Sequence, residues 1–221
     1  AALVGYTNAG KSTILNELTK ADVLVEDRLF ATLDSTVRAL EFTDQEKLLL
    51  IDTVGFIRKL PHHLVASFKS TLEEVRDSDL LLHVVDISSY EFAEQMKTVH
   101  DVLKDLNAGE KPRIYVFNKL DLLKDRSVIE EVKRDYPDSV FIAAGNGLFM
   151  DRLKDKLSGW IQQQSREFTV EIPLNQSKLM AKMHDLAQVL DVEYTEESAI
   201  MNLVANQTNA ARIERMLEAQ N

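Results

Sequence analysis

A glycine-containing segment near the start of the chain has the residue types needed to hold a phosphate. Residues 5–13 read GYTNAGKST, which fits G-x-x-x-x-G-K-[ST] between an apolar run and a helical pattern. The glycines let backbone N–H groups turn inward around a β-phosphate, and the positive end of the following helix adds to the attraction. An ordinary strand–turn–helix connection is the alternative. We predict nucleotide contacts from Gly5, Tyr6, Thr7, Asn8, Ala9, Gly10, Lys11, Ser12 and Thr13.

Two side chains of this segment have separate predicted roles. Lys11 can reach the β- and γ-phosphate oxygens as a point charge, and Ser12 can place its hydroxyl on Mg²⁺. The later segment DTVG, residues 52–55, follows the apolar run LLLI. At that strand end Asp52 can hold Mg²⁺ through a coordinated water, and the Gly55 N–H can meet the γ-phosphate. The alternative for Asp52 is a simple cap or turn former.

The segment NKLD, residues 118–121, follows the apolar run RIYVF and predicts which base is bound. Guanine presents two donors, N1–H and the N2 amine, that the carboxylate of Asp121 can accept together. Adenine has an acceptor at N1 and lacks the amine, so a site built for guanine leaves polar groups unpaired with adenine. We expect Asn118 to tie this loop to the phosphate loop and the stem of Lys119 to lie along the base.

A mobile segment that senses the γ-phosphate must lie between the phosphate loop and Asp52. The candidate is RLFATLDSTVR, residues 28–38, in which Thr32 or Thr36 would supply a hydroxyl to Mg²⁺ and a backbone N–H to the γ-phosphate. We favour Thr32, and a threonine that merely starts a strand is the alternative. The expected catalytic residues are Lys11, Thr32 and Gly55, and the expected metal ligands are Ser12, Thr32 and Asp52.

The elements that must position these residues form an α/β pattern. Five apolar runs predict buried parallel strands, and the segments between them have apolar residues at spacings of three and four. This alternation predicts a doubly wound, mostly parallel sheet of the P-loop NTPase type, with helices on both faces and ligands beyond the carboxyl ends of the strands. VRALEF and KLLLID predict a hairpin that adds one antiparallel strand. We expect a nucleotide-binding domain over 1–166 and a small α+β domain, in β-α-β-β-α order, over 167–221.

Composition narrows the class of protein. The chain has 221 residues, 45% of them hydrophobic, a net charge of −10 and no cysteine. It can therefore bury a core, while disulfides and thiolate metal sites are excluded. The negative charge argues against nonspecific coating of nucleic acid. Without an apolar run of roughly 20 residues, we expect no membrane association and a cytoplasmic location.

The motifs together resemble the HflX-type GTPases of the translation-factor-related class. GYTNAGKST, LFATLD, DTVGFI with LPHHLVASFKSTLEE, and NKLD carry the resemblance, which covers most of residues 1–166. It implies a Mg²⁺-dependent GTPase that binds the large ribosomal subunit in its GTP state and, in the full-length protein, splits stalled or idle ribosomes. It also implies that the chain is a fragment of a longer protein. A monomer is expected, and the alternative function is a nucleotide-regulated binding or assembly module that hydrolysis merely resets.

Two positions depart from the pattern of relatives. The last base-contacting loop usually has a serine–alanine pair, whereas Ala143 and Ala144 stand here. The Ala144 N–H can still reach guanine O6, so we expect a preference for GTP over ATP to persist. Phe56 occupies the position where many GTPases have a glutamine that orients the attacking water. A phenyl ring cannot do this, so we expect slow intrinsic hydrolysis that a partner accelerates.

Overall fold

Strands and helices alternate over the first two thirds of the chain, as the hydrophobic pattern predicts. The computed structural model describes residues 1–20, 35–42, 47–57 and 69–218. The strands of this part are β1 (Ala2–Gly5), β2 (Thr36–Glu41), β3 (Lys47–Asp52), β4 (Leu81–Asp86), β5 (Arg113–Asn118) and β6 (Val140–Phe141). The helices are α1 (Lys11–Thr19), α2 (Lys69–Asp77), α3 (Phe92–Asp105), α4 (Ser127–Asp135) and α5 (Met150–Gln163). In the described ranges, no helix has the length and apolar character of a membrane span.

The strand order places the start of the chain in the middle of the sheet. Within the described residues the sheet has six strands in the order β2-β3-β1-β4-β5-β6. Strand β1 pairs in parallel with β3 on one side and β4 on the other, and β5 pairs in parallel with β4 and β6. The order therefore reverses direction at β1, and the crevice beyond such a reversal is where doubly wound sheets bind ligands.

Both faces of the sheet are covered, as predicted. Ala2 and Val4 of β1 belong to a buried cluster that includes residues of α2 and α3. Leu3 lies between them and is equally buried. Because successive strand side chains point to opposite faces, Leu3 is covered from the other side. Helix α1 contacts β1 and β2. The α/β fold class predicted from the sequence is confirmed.

Two predicted elements differ in extent. The predicted strand over SVFIAA is reduced to Val140–Phe141, because Ala143 instead forms an antiparallel bridge with Leu148. The predicted helix over HHLVASFKSTLEEVRDS is observed as α2 from Lys69, and its residues 62–68 lie outside the described residues. Strand β2 lies next to β3 at one edge of the sheet, where the hairpin prediction puts it.

The last part of the chain forms a separate α+β unit in the predicted β-α-β-β-α order. Its elements are β7 (Ser165–Pro173), α6 (Ser177–Leu186), β8 (Gln188–Tyr194), β9 (Ser198–Asn206) and α7 (Gln207–Glu218). Strand β9 is central and antiparallel to both β7 and β8. Its alternating buried residues, among them Met201 and Leu203, form a cluster with residues of α6 and α7.

The division between the two units falls inside a helix. The first unit comprises Ala1–Glu41 and Leu48–Lys154, and the second comprises Phe42–Lys47 and Asp155–Asn221. The sequence predicts a boundary at residue 166, close to the point where α5 ends at Gln163 and β7 begins at Ser165, and this boundary stays a prediction. Because α5 continues across the division without a turn or a change of composition, the sequence pattern carries no mark of it.

Candidate nucleotide-binding site

The phosphate-binding segment joins β1 to α1 and needs glycine at both ends. Gly10 has a φ of +96°, and a Cβ atom there would lie 2.3 Å from Asn118 Nδ2. At Gly5 a Cβ atom would lie 2.3 Å from the Val84 carbonyl oxygen of β4. A side chain at either position would therefore strain the backbone or push neighbouring groups away. The intervening residues, which the sequence assigned to nucleotide contacts, are Tyr6, Thr7, Asn8 and Ala9.

The ammonium group of Lys11 is held inside this loop. Lys11 is only 6% exposed, and its Nζ donates to the carbonyl oxygens of Gly5 at 3.5 Å and Tyr6 at 3.3 Å. Burial lowers the pKa of Lys11 from 10.5 to about 8, and the negative charge of Asp52 opposes this shift only in part. A desolvated cation is thus fixed where the sequence predicts phosphate oxygens.

A hydroxyl and a carboxylate meet at the predicted magnesium position. Ser12 Oγ donates to Asp52 Oδ2 over 2.5 Å, which joins the first turn of α1 to the end of β3. Mg²⁺ prefers such oxygen ligands, and it commonly uses one or two protein groups together with waters and phosphates. The donor set present therefore fits Mg²⁺ held with a nucleotide. Thr13 follows in the same turn and is half-buried.

The segment after Asp52 packs closely against the phosphate loop. A Cβ atom on Gly55 would lie 2.6 Å from Thr7 Cα and 3.1 Å from Lys11 Nζ. The next residue, Phe56, donates its N–H to the Gly5 carbonyl at 3.0 Å and accepts the Thr7 N–H at 2.9 Å. Its ring is fully buried. Gly55 is thereby held beside Lys11, and the ring of Phe56 faces the core.

Asn118 links three parts of the site. Its side chain is 2% exposed; Nδ2 donates to the Ala9 carbonyl at 2.9 Å, and Oδ1 accepts the Ala144 N–H at 3.0 Å. The predicted tie to the phosphate loop is observed. The Ala144 N–H, which the sequence assigned to guanine O6, is engaged by Asn118 instead, so that base contact stays a prediction. Ala143 is fully buried beside it.

The remaining residues of the NKLD segment lie at the same edge. Lys119 has a φ of +62°, and its Nζ forms an ion pair with Asp86 Oδ2 at 2.8 Å. Asp121 is exposed in a short 3₁₀ turn over Leu120–Leu122. Asp86 also accepts the N–H and hydroxyl of Ser88, at 3.0 and 2.6 Å. The sequence analysis missed Asp86, although it ends the apolar strand β4 as Asp52 ends β3.

The structure describes only one of the two candidates for the γ-phosphate sensor. Thr32, predicted as a catalytic residue and a metal ligand, lies outside the described residues. Thr36 begins β2 and is half-buried. The residue before Thr36 is tied to α2 by a hydrogen bond, since Ser35 Oγ donates to Glu74 Oε1 at 2.7 Å.

Comparison with protein families decides the class of protein. Residues 1–119 match the model of a family described as "50S ribosome-binding GTPase", and this range contains the phosphate loop, Asp52, Gly55 and Asn118. The chain belongs to the 50S ribosome-binding GTPase family. The predicted P-loop GTPase fold agrees with this match, whereas Asp121 and Ala144 lie beyond the matched range.

Relatives within this GTPase family confirm the resemblance to HflX. A "GTPase HflX" of Magnetococcus marinus is 45% identical over 197 residues, which cover 89% of this chain and 45% of the relative. A second, from Escherichia coli, is 39% identical over 91% of this chain and 47% of its own length. The chain thus spans about half the length of the curated relatives it matches.

A solved structure shares the same architecture. The GTP-binding protein from Sulfolobus solfataricus, determined in complex with GDP, aligns with a TM-score of 0.57 and 28% identity over 72% of this chain and 50% of that chain. The alignment supports the α/β fold of a P-loop GTPase.

Proposed function

We propose that the chain is a GTP-binding and GTP-hydrolysing switch that associates with the large ribosomal subunit. The observation that carries the nucleotide assignment is the pair of hydrogen bonds made by Asn118. They hold the phosphate loop and the loop of Ala144 against the end of β5, so that the segments expected to bind phosphate and base surround one position. Family membership supports the same reaction class.

The preference for guanine is assigned to Asp121. Its carboxylate is exposed at the carboxyl edge of the sheet, where it can accept both the N1–H and the N2 amine of guanine. Unlabelled ATP should fail to displace labelled GDP at equal concentration, whereas GTP should displace it. Asp121→Asn keeps the shape and removes the second acceptor, so this variant should lose guanine affinity by roughly 10²-fold or more. Displacement of GDP by equimolar ATP would refute the assignment.

Mg²⁺ is proposed as the cofactor, held by Ser12 and Asp52, with Thr32 as the proposed third ligand. The bound ion would neutralise charge on the phosphates. The chain's own residues would stabilise the same charge, because the carbonyl oxygens of Gly5 and Tyr6 hold the Lys11 Nζ in the loop. Gly55 lies beside it, since a Cβ atom added there would be 3.1 Å from this Nζ. Ser12→Ala should weaken nucleotide binding in the presence of Mg²⁺ more than in its absence.

Intrinsic hydrolysis is proposed to be slow. The buried ring of Phe56 offers no polar group to orient a water molecule. A partner would have to supply such a group or order the loops. Single-turnover hydrolysis by the purified chain should therefore be far below 1 s⁻¹, and a rate at or above that value would contradict the proposal.

The ribosome is the proposed partner. We propose further that the protein is a monomer and is located in the cytoplasm. Support comes from the family description and the HflX relatives; splitting of ribosomes is proposed only for proteins of the relatives' full length. Loss of the γ-phosphate would release the Gly55 N–H and the segment around Thr32. This release would change the surface that the partner binds.

Cosedimentation tests the partner. The chain is incubated with 50S subunits in GDP or in a nonhydrolysable GTP analogue, with Asp121→Asn as the matched control that should not respond to guanine nucleotide. Pelleting that increases with the GTP analogue supports the proposal. Nucleotide binding with equal, low pelleting in both states would favour the alternative, a binding or assembly module directed to another target.

A further inference from the structure

Strained backbone recurs in the loops of the nucleotide site. In the part of the chain that the structure describes, the residues other than glycine with a positive φ are Asn8, Lys20, Asn107, Lys119 and Phe149. Asn8 lies in the phosphate loop, Lys119 in the NKLD segment, and Phe149 directly after the loop of Ala144. With a φ of +61°, Phe149 is an outlier, because bulky aromatic residues rarely adopt this left-handed conformation. Such strain costs free energy and clusters at functional sites, so its presence at Phe149 calls for an explanation.

Phe149 is the residue that joins the base loop, defined here as residues 143–148, to helix α5. The base loop is closed by two backbone hydrogen bonds, since Ala143 and Leu148 each donate an N–H to the other's carbonyl oxygen at 3.0 Å. Helix α5 begins at the next residue after Phe149, Met150, which is buried. Because both the loop and the helix are held in place, the backbone conformation of Phe149 sets how the base loop lies relative to α5.

The base loop is also attached to the rest of the nucleotide site. The Ala144 N–H donates to Asn118 Oδ1 at 3.0 Å, and Asn118 Nδ2 donates to the Ala9 carbonyl of the phosphate loop at 2.9 Å. A change of φ at Phe149 would shift the base loop away from its position against Asn118. The conformation of this one residue is therefore coupled to both loops that are expected to surround the nucleotide.

Arg152, in the first turn of α5, supports the side chain of Phe149. Its guanidinium carbon lies 4.1 Å from the centroid of the Phe149 ring, within the range of a favourable cation–π contact. This contact offsets part of the cost of the left-handed backbone. We propose that Phe149 is a positioning residue: its left-handed backbone, supported by Arg152, holds the base loop against Asn118 and so slows release of the guanine nucleotide. This inference rests on the proposed nucleotide binding.

The test compares a residue that adopts the left-handed conformation freely, glycine, with one that opposes it, the β-branched valine. Dissociation of fluorescently labelled GDP is followed by stopped flow after addition of excess unlabelled GDP. Phe149→Gly should stay close to the wild-type rate, and Phe149→Val should dissociate roughly tenfold faster than Phe149→Gly, as the cost of a left-handed backbone implies. A role of the ring in packing alone predicts the reverse order, because glycine removes more of the side chain. Asn107→Val is the matched control and should leave the rate unchanged: Asn107 also has a positive φ, of +57°, but it precedes the amino end of β5, away from the site.

A second measurement, which decides the matter if Phe149→Val does not fold, removes the support at the exposed Arg152. Arg152→Gln should accelerate GDP dissociation roughly threefold in the wild type, as for one exposed cation–π contact. The same substitution should have no effect in Phe149→Gly, because a glycine needs no support in this conformation, and the difference between the two backgrounds measures the coupling. Equal rates for Phe149→Val and Phe149→Gly, or an equal effect of Arg152→Gln in both backgrounds, would overturn the proposal and leave nucleotide binding intact. A wild-type chain that binds no GDP would instead overturn the proposed function, and this inference with it.

Discussion

The buried ammonium group of Lys11 should make the nucleotide-free protein more stable as the pH rises. Its pKa is about 8 in the folded chain against an ordinary value of 10.5. Between these values the unfolded chain holds a proton that the folded chain lacks, so raising the pH favours folding. Below pH 8 the Lys11 amine is protonated in both the folded and the unfolded state, so folding bears the full cost of burying its charge. Above pH 10.5 the amine is neutral in both states and this cost is absent. At 1.36 kcal/mol for each pKa unit, the cost at pH 7 is about 3 kcal/mol.

Lys11→Met removes the charge and retains an unbranched side chain. We allow about 1 kcal/mol for the two long hydrogen bonds to carbonyl oxygens that the variant loses. The free energy of unfolding of the variant should then exceed that of the wild type by about 2 kcal/mol at pH 7. The measurement is urea denaturation at pH 7, 8, 9 and 10 by far-ultraviolet circular dichroism. Fluorescence of Trp160, which lies in the second unit, separates the transition of that unit.

The informative quantity is the difference between wild type and variant at each pH, because titrations common to both cancel. The advantage of Lys11→Met should shrink by roughly 1.4 kcal/mol for each pH unit above 8. A pH-independent difference, or a variant less stable at pH 7, would show that the ammonium group is not desolvated. Saturating GDP should remove the slope in the wild type, since bound phosphate favours the charged form of the amine.

Three further substitutions test contacts of the site. Gly55→Ala should weaken GDP binding at least tenfold by calorimetry, because its Cβ atom would lie 2.6 Å from Thr7 Cα; a role confined to the γ-phosphate would leave GDP affinity unchanged. Asn118→Ala should cost about 2–4 kcal/mol of GDP binding, because two buried backbone groups lose their partner, and an effect below tenfold in the same titration would argue against this linkage. Asp86→Asn should raise the GDP dissociation rate only about threefold in stopped-flow experiments, since its ion pair with Lys119 is partly exposed and such pairs contribute little, whereas no change would exclude a positioning role for Asp86.

Much of the fold was predictable from local pattern. Continuous apolar runs predict strands covered on both faces, and in a parallel sheet the residues ending such runs meet at one edge. This reasoning correctly places Asp52 and Asn118 near the phosphate loop. It also explains why Asp86 could have been found, since it ends β4 in the same way.

The hydrogen-bond partners within the site were less predictable from the sequence. Asn118 bonds to Ala9 across 109 positions of sequence, and its second bond occupies the very N–H that was expected to read the base. The short extent of β6 follows from the bridge between Ala143 and Leu148, which no periodicity marks. The left-handed backbone of Phe149 likewise depends on its anchored neighbours, because nothing in the residue type marks it.

The double attachment of Asn118 has a consequence for protein engineering. A loop graft that replaced the residues around Ala144, or one that redesigned the turn containing Ala9, would alter an anchor that the other loop also uses. Changes intended to convert purine selectivity would then also weaken binding of the diphosphate. Changes intended to alter diphosphate binding would likewise disturb purine selectivity. Successful redesign of this chain would have to treat the two loops as one cassette, transplanted or mutated together.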